Sequence, residues 1–165
     1  MFDLISGLPI HPLVIHGVVV LGPLAALLAI AYAARPAWRR GLQYPTAGLA
    51  VLSAVLGFVA TQSGEALEHR IGEPGFDHAE AGELAAISLA VLAGAVLLTV
   101  FVLIRPQVEK SDKGRSMAAL AIVVLASLFV GFAVTSAGHT GAKSVWTGEV
   151  SGTTSTSGEG SGDED

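Results

Sequence analysis

Residues 84–104 read LAAISLAVLAGAVLLTVFVLI, twenty-one positions without Asp, Glu, Lys or Arg. At a rise of about 1.5 Å per residue, a helix of that length spans about 30 Å, the thickness of a bilayer's hydrocarbon core. Three further stretches are equally free of charge: Leu4 to Ala34, Gly41 to Gly64 and Ser116 to Ala142. The chain has 165 residues, 52% hydrophobic and only 14% charged. Four buried lengths of this kind would leave a water-soluble fold almost no polar surface. The sequence therefore predicts an all-α membrane protein, a bundle of four transmembrane helices over about Pro12–Ala34, Tyr44–Gly64, Ala79–Ile104 and Arg115–Ala137.

The first apolar stretch contains Ala31-Tyr-Ala33, which resembles a signal-peptidase site. A signal peptide carries a basic segment before its apolar core, and no Lys or Arg precedes Arg35. A retained helix is expected. Cysteine is absent, which excludes disulfides, thiolate nucleophiles and covalently attached c-type haem.

Charge distribution orients the bundle. Arg35, Arg39 and Arg40 follow the first helix, and Arg105, Lys110, Lys113 and Arg115 lie between the third and fourth. Only Arg70 and Lys143 fall on the opposite side. The positive-inside bias makes the basic side cytoplasmic and puts both termini outside. The net charge of −5 gives no sign of nucleic-acid binding. Asp77 and Glu80 have the spacing of a capping box at the start of the third helix. Residues 1–148 are read as the transmembrane domain. Residues 149–165, rich in Ser, Thr, Gly and acidic residues, are read as a disordered external tail unable to bury enough apolar area to fold.

An internal echo links the second and fourth helices. Gly57-Phe-Val-Ala-Thr61-Gln-Ser-Gly64 and Gly131-Phe-Ala-Val-Thr135-Ser-Ala-Gly138 both fit G-F-x-x-T-x-x-G. Small residues at such spacings let helices approach closely in lipid. The echo suggests two repeated helical hairpins related by a pseudo-twofold axis along the membrane normal. It predicts that Gly57 superposes on Gly131 and that both face the bundle interior.

All five histidines fall near the outer boundary: His11 and His16 in helix one, His69 after helix two, His78 opening helix three and His139 after helix four. His16 lies about 7.5 Å deeper than His11 at helical rise. Ionisable groups at such depth usually face a bundle interior or a ligand. His16, His78 and His139 are thus the candidate cofactor ligands, at least two of them expected in one pocket. His11, His69 and Glu80 are secondary metal-ligand candidates, with Glu65 a further oxygen donor. Two imidazoles from different helices suit a b-type haem. Three or four suit zinc, copper or iron. A third reading has no cofactor, the histidines serving only as hydrogen-bonding groups. No nucleophile elbow, phosphate loop or other catalytic motif is present, so enzymatic activity is not expected.

The segments Leu8-Pro-Ile-His-Pro12-Leu-Val-Ile-His16, Ser63-Gly64-Glu65-Ala66, His78-Ala-Glu80 and Gly138-His-Thr-Gly141-Ala-Lys-Ser-Val145-Trp146 resemble, in order, the motifs of a prokaryotic membrane family known as domain of unknown function 2231. Gly17, Ala142 and Trp146 depart from the residues usual in that family. The resemblance implies four helices in a prokaryotic cytoplasmic membrane. Some relatives are joined to cytochrome c or Rieske iron–sulfur modules, which implies a redox association with such partners or with a larger membrane complex. The leading expectation is a haem-binding or redox-associated electron-transfer protein with its histidines at the outer face. The alternatives are an external transition-metal binding or transport protein and a structural accessory subunit.

Overall fold

All four apolar stretches are helical in the computed structural model, which describes residues 4–5, 8–71, 77–104 and 112–153. A two-residue antiparallel strand pair, β1 (Leu4–Ile5) and β2 (Leu8–Pro9), precedes α1 (Ile10–Ala34). A 3₁₀ turn at Pro36–Trp38 leads into α2 (Arg39–Ile71). Helix α3 (His78–Leu98) runs on as a π-helical turn through Thr99–Leu103, and α4 covers Lys113–Thr153. Each of the four is long and apolar enough to cross a membrane.

The helices outrun their expected bounds at the end where α1 begins. Helix α2 continues seven residues past Gly64, and α4 continues sixteen past Ala137, into the segment read as tail. Loss of hydrophobicity marks where a helix leaves lipid, not where its backbone hydrogen bonding stops. The remainder of that segment, 154–165, lies outside the described residues, as do the basic positions Arg105 and Lys110.

The helices alternate in direction and pack in cyclic order, α1 against α2 and α4, and α3 against α2 and α4. The interface is built from small side chains. Ala25, Ala29, Ala50, Ala119 and Ala133 are almost wholly buried, and Leu13, Leu27, Phe58, Leu125 and Phe132 project outward. Apolar bulk faces lipid at no cost, so close backbone approach, with its dispersion contacts, selects what goes inside.

The two hairpins repeat, in a register different from the one the echo suggests. Shifting α1 by 67 residues maps Val18, Gly22, Ala25, Ala29 and Tyr32 onto Ala85, Leu89, Leu92, Val96 and Thr99, all buried. Shifting α2 by 77 maps buried Thr46, Ala50 and Ser53 onto buried Val123, Ser127 and Val130. The echo requires a shift of 74, and there it fails. A Cβ on Gly57 would meet Leu89 Cδ1 at 3.0 Å and Ala86 Cα at 3.3 Å, whereas Gly131 has nothing within 4 Å. Gly57 is buried and Gly131 exposed. Three residues of slip turn a helix by about 300°, enough to take one copy of the motif off the shared face.

The basic end is locked by polar contacts to main chain. Tyr32 Oη donates to Ile104 O at 2.9 Å, tying α1 to the end of the π turn. Arg39, only 7% exposed, donates from Nη2 to Ala33 O at 3.0 Å and from Nε to Tyr32 O at 3.4 Å. Those carbonyls belong to the last turn of α1, where no helical N–H can reach them. The Arg39 guanidinium caps that turn and also reaches Ser116 Oγ of α4 at 3.5 Å.

Candidate functional site

At the opposite end, where α1 begins and α4 ends, one histidine from each hairpin turns inward. His11, on the first turn of α1, shares a face with Val18, Gly22, Ala25 and Ala29, the buried stripe of that helix. His78 opens α3 in line with buried Ala81, Ala85 and Ser88. Both rings are half-buried, with centroids 6.5 Å apart and planes at 80°. They occupy matching positions on the buried stripes of α1 and α3, 67 residues apart.

A glycine of the following helix makes room for each ring. A Cβ on Gly64 of α2 would stand 3.0 Å from His11 Cε1, and one on Gly141 of α4 would stand 2.9 Å from His78 Cε1. These two glycines are themselves related by the shift of 77. Side chains larger than hydrogen would collide with imidazole at either place.

Hydrogen bonding fixes the ring tautomers. His11 Nδ1 lies 2.9 Å from Ala60 O, and a carbonyl only accepts, so Nδ1 carries the proton. Ser63 Oγ donates to the same carbonyl at 3.1 Å and stands 3.4 Å from His11 Nδ1. In the second hairpin, Thr140 Oγ1 lies 3.1 Å from both Ser136 O and Ala137 O, which directs its hydrogen into its own helix. Its lone pair then accepts from His78 Nδ1 at 3.2 Å. Ser63 and Thr140, like Ala60 and Ala137, are again 77 residues apart. With Nδ1 donating, the neutral form of each ring carries its lone pair on Nε2. That is the state in which a histidine ligates a metal, the outer N–H held by a carbonyl or hydroxyl.

Of the three histidines expected to converge, only His78 is at this site. His16 is exposed on the outer face of α1, with Nδ1 on Pro12 O of its own helix at 2.6 Å. Five residues separate it from His11, a rotation of about 140°, so the two cannot share a face. His139 is exposed on α4, beside the inward Thr140. His69, Glu65 and Glu80 are exposed too. Glu68, half-buried one turn beyond Gly64, acts on His11 electrostatically. Among the described residues no group of three His, Cys, Asp or Glu side chains forms a metal cluster. The expected capping box is also not made: Asp77 is left-handed, with φ 54°, and its side chain makes no cap hydrogen bond. The tautomer of His78 is set by Thr140 rather than by Asp77.

A family of predicted membrane proteins, domain of unknown function 2231 (DUF2231), matches residues 7–154, nearly the whole chain and every helix of the bundle. This protein belongs to the DUF2231 family. The matched span begins just before His11 and ends beyond Gly141, so the inward histidine pair and both glycine cradles are part of the family domain. No curated protein and no solved structure is significantly similar to the chain.

Proposed function

We propose that this DUF2231 protein binds a transition-metal ion between His11 and His78, at the outer face of a prokaryotic cytoplasmic membrane. The observation that carries the reading is the adjacent pair of imidazoles, one from each hairpin, both tied through Nδ1 and with no hydrogen bond to either Nε2 among the described residues. Two ring centroids either side of a shared ion, with metal–nitrogen bonds of about 2 Å, stand about 6 Å apart. The observed 6.5 Å is close to that value, and ring rotation from the edge-on arrangement would turn the two Nε2 atoms toward a shared ion. The basic residues gathered at the far end support the orientation, since they are retained on the cytoplasmic side.

A b-type haem has less support. An axial pair would need a slot for the macrocycle between the rings, whereas each ring lies against backbone at Gly64 or Gly141. His16, expected to pair with either His139 or His78 about a haem, faces outward, as does His139. The hydroxyl nearest His11, Ser63 Oγ, donates to Ala60 O of its own helix, which supports a role in binding or handing on the ion. The test is metal analysis with a visible spectrum of full-length protein purified in mild detergent after growth with ample haem and metals. One ion per chain without a Soret band is expected. A stoichiometric Soret band would replace the ion by haem, and neither signal would refute the reading.

A further inference from the structure

We infer that the ion held by the histidine pair is monovalent copper, bound in two-coordinate form by His11 Nε2 and His78 Nε2. This rests on the proposed metal-binding function and narrows it to one ion. The donor set is the first reason. The described residues bring two imidazoles together and no third His, Cys, Asp or Glu in metal-binding array. Zinc in protein sites takes four ligands, or three and a water, and divalent iron and copper also favour higher coordination. Cuprous ion, a filled-shell cation, is satisfied by two nitrogen donors opposite one another.

Charge is the second reason. Imidazoles that ligate through Nε2, with Nδ1 on Ala60 O and Thr140 Oγ1, are neutral donors and cancel none of the ion's charge. Glu68, half-buried one turn beyond Gly64, is the carboxylate that acts on His11, and its single charge balances a monovalent ion but leaves a divalent one half-compensated; Glu65 and Glu80 are exposed. The desolvation cost of an ion grows with the square of its charge, so a divalent ion at this half-buried place pays about four times the cost of a monovalent one. Symmetry is the third reason. The two ligands occupy equivalent positions of the repeated hairpins, each with its own glycine cradle and its own hydroxyl, Ser63 or Thr140. A site lying between two equivalent ligands suits a linear donor–ion–donor unit.

The experiment uses the full chain in detergent under anaerobic conditions, offered Cu(I) on a competing chelator and, separately, Zn(II). The expected result is one Cu(I) per chain, with an X-ray absorption spectrum showing two nitrogen neighbours at about 2 Å. His11→Gln and His78→Gln, checked for folding by gel filtration, should each weaken Cu(I) retention at least tenfold, and His16→Gln should not. The wild-type absorption spectrum decides even if both variants misfold: three or four nearest neighbours overturn two-coordinate binding. One Zn(II) per chain, with Cu(I) left on the chelator, overturns the cuprous assignment and leaves the metal-binding function standing. No uptake of either ion overturns both.

Discussion

Replacing Gly57 and Gly131 by alanine, one at a time, applies the same chemical change to two copies of one sequence motif that the fold treats differently. In a helix interior the change alone is favourable by about 0.5–1 kcal/mol, because alanine loses less backbone freedom than glycine. At Gly131 nothing lies within 4 Å of the new methyl, so Gly131→Ala should be stabilising by about that amount. At Gly57 the methyl lands 3.0 Å from Leu89 Cδ1 and 3.3 Å from the Ala86 backbone. Leu89 can rotate away only into a core where it is itself wholly buried, and Ala86 Cα moves only with α3. Overpacking of this kind costs about 1–3 kcal/mol. The two variants should therefore differ by about 1–3 kcal/mol, with Gly57→Ala the less stable. Reversible unfolding in mixed micelles measures this directly. Equal destabilisation by both substitutions would refute the packing register and restore the superposition of Gly57 on Gly131.

Other consequences follow from the same contacts. Tyr32→Phe removes the buried donor to Ile104 O and should destabilise by about 1–2 kcal/mol in the same assay, since the carbonyl is left unpaired. Arg39→Met should destabilise by about 1–3 kcal/mol as the last turn of α1 loses its cap, while Arg40→Met, at an exposed position, should change stability by less than about 0.5 kcal/mol. Thr46 and Thr99 bury hydroxyls that have no partner among the described residues, so Thr46→Val or Thr99→Val should leave stability unchanged or raise it by up to about 1 kcal/mol. Thr140→Val keeps both ligands but frees the His78 ring, and metal retention in competition with a chelator should weaken by about 10–100-fold.

Helix number and helix placement were legible because hydrocarbon imposes a length and excludes charge, and both leave marks in a linear sequence. The rotation of each helix was not legible from hydrophobicity. Lipid-facing and core-facing positions are both apolar, so Leu27 outside and Leu92 inside look alike. Side-chain size carried the missing signal. His11 stands seven residues before Val18 and on the stripe of Gly22, Ala25 and Ala29, whereas His16 aligns with Val20 and Leu27, which are exposed. Depth along the helix suggested His16, but the small-residue face is the one that His11 shares. His78 follows the same logic through Ala81 and Ala85, and His139 fails it through exposed Phe132 and Thr135. The repeated G-F-x-x-T-x-x-G misled because Ser63-Gly64 and Thr140-Gly141, which carry the true register, differ in sequence and sit three residues out of step with it.

Metal content measured across five single variants, His11→Gln, His16→Gln, His69→Gln, His78→Gln and His139→Gln, tests the paired-histidine site most directly. The proposed assignment predicts loss of the ion in the His11 and His78 variants and retention in the other three. Loss of the ion on changing His16 or His139, with retention in the His11 variant, would contradict the assignment of the site.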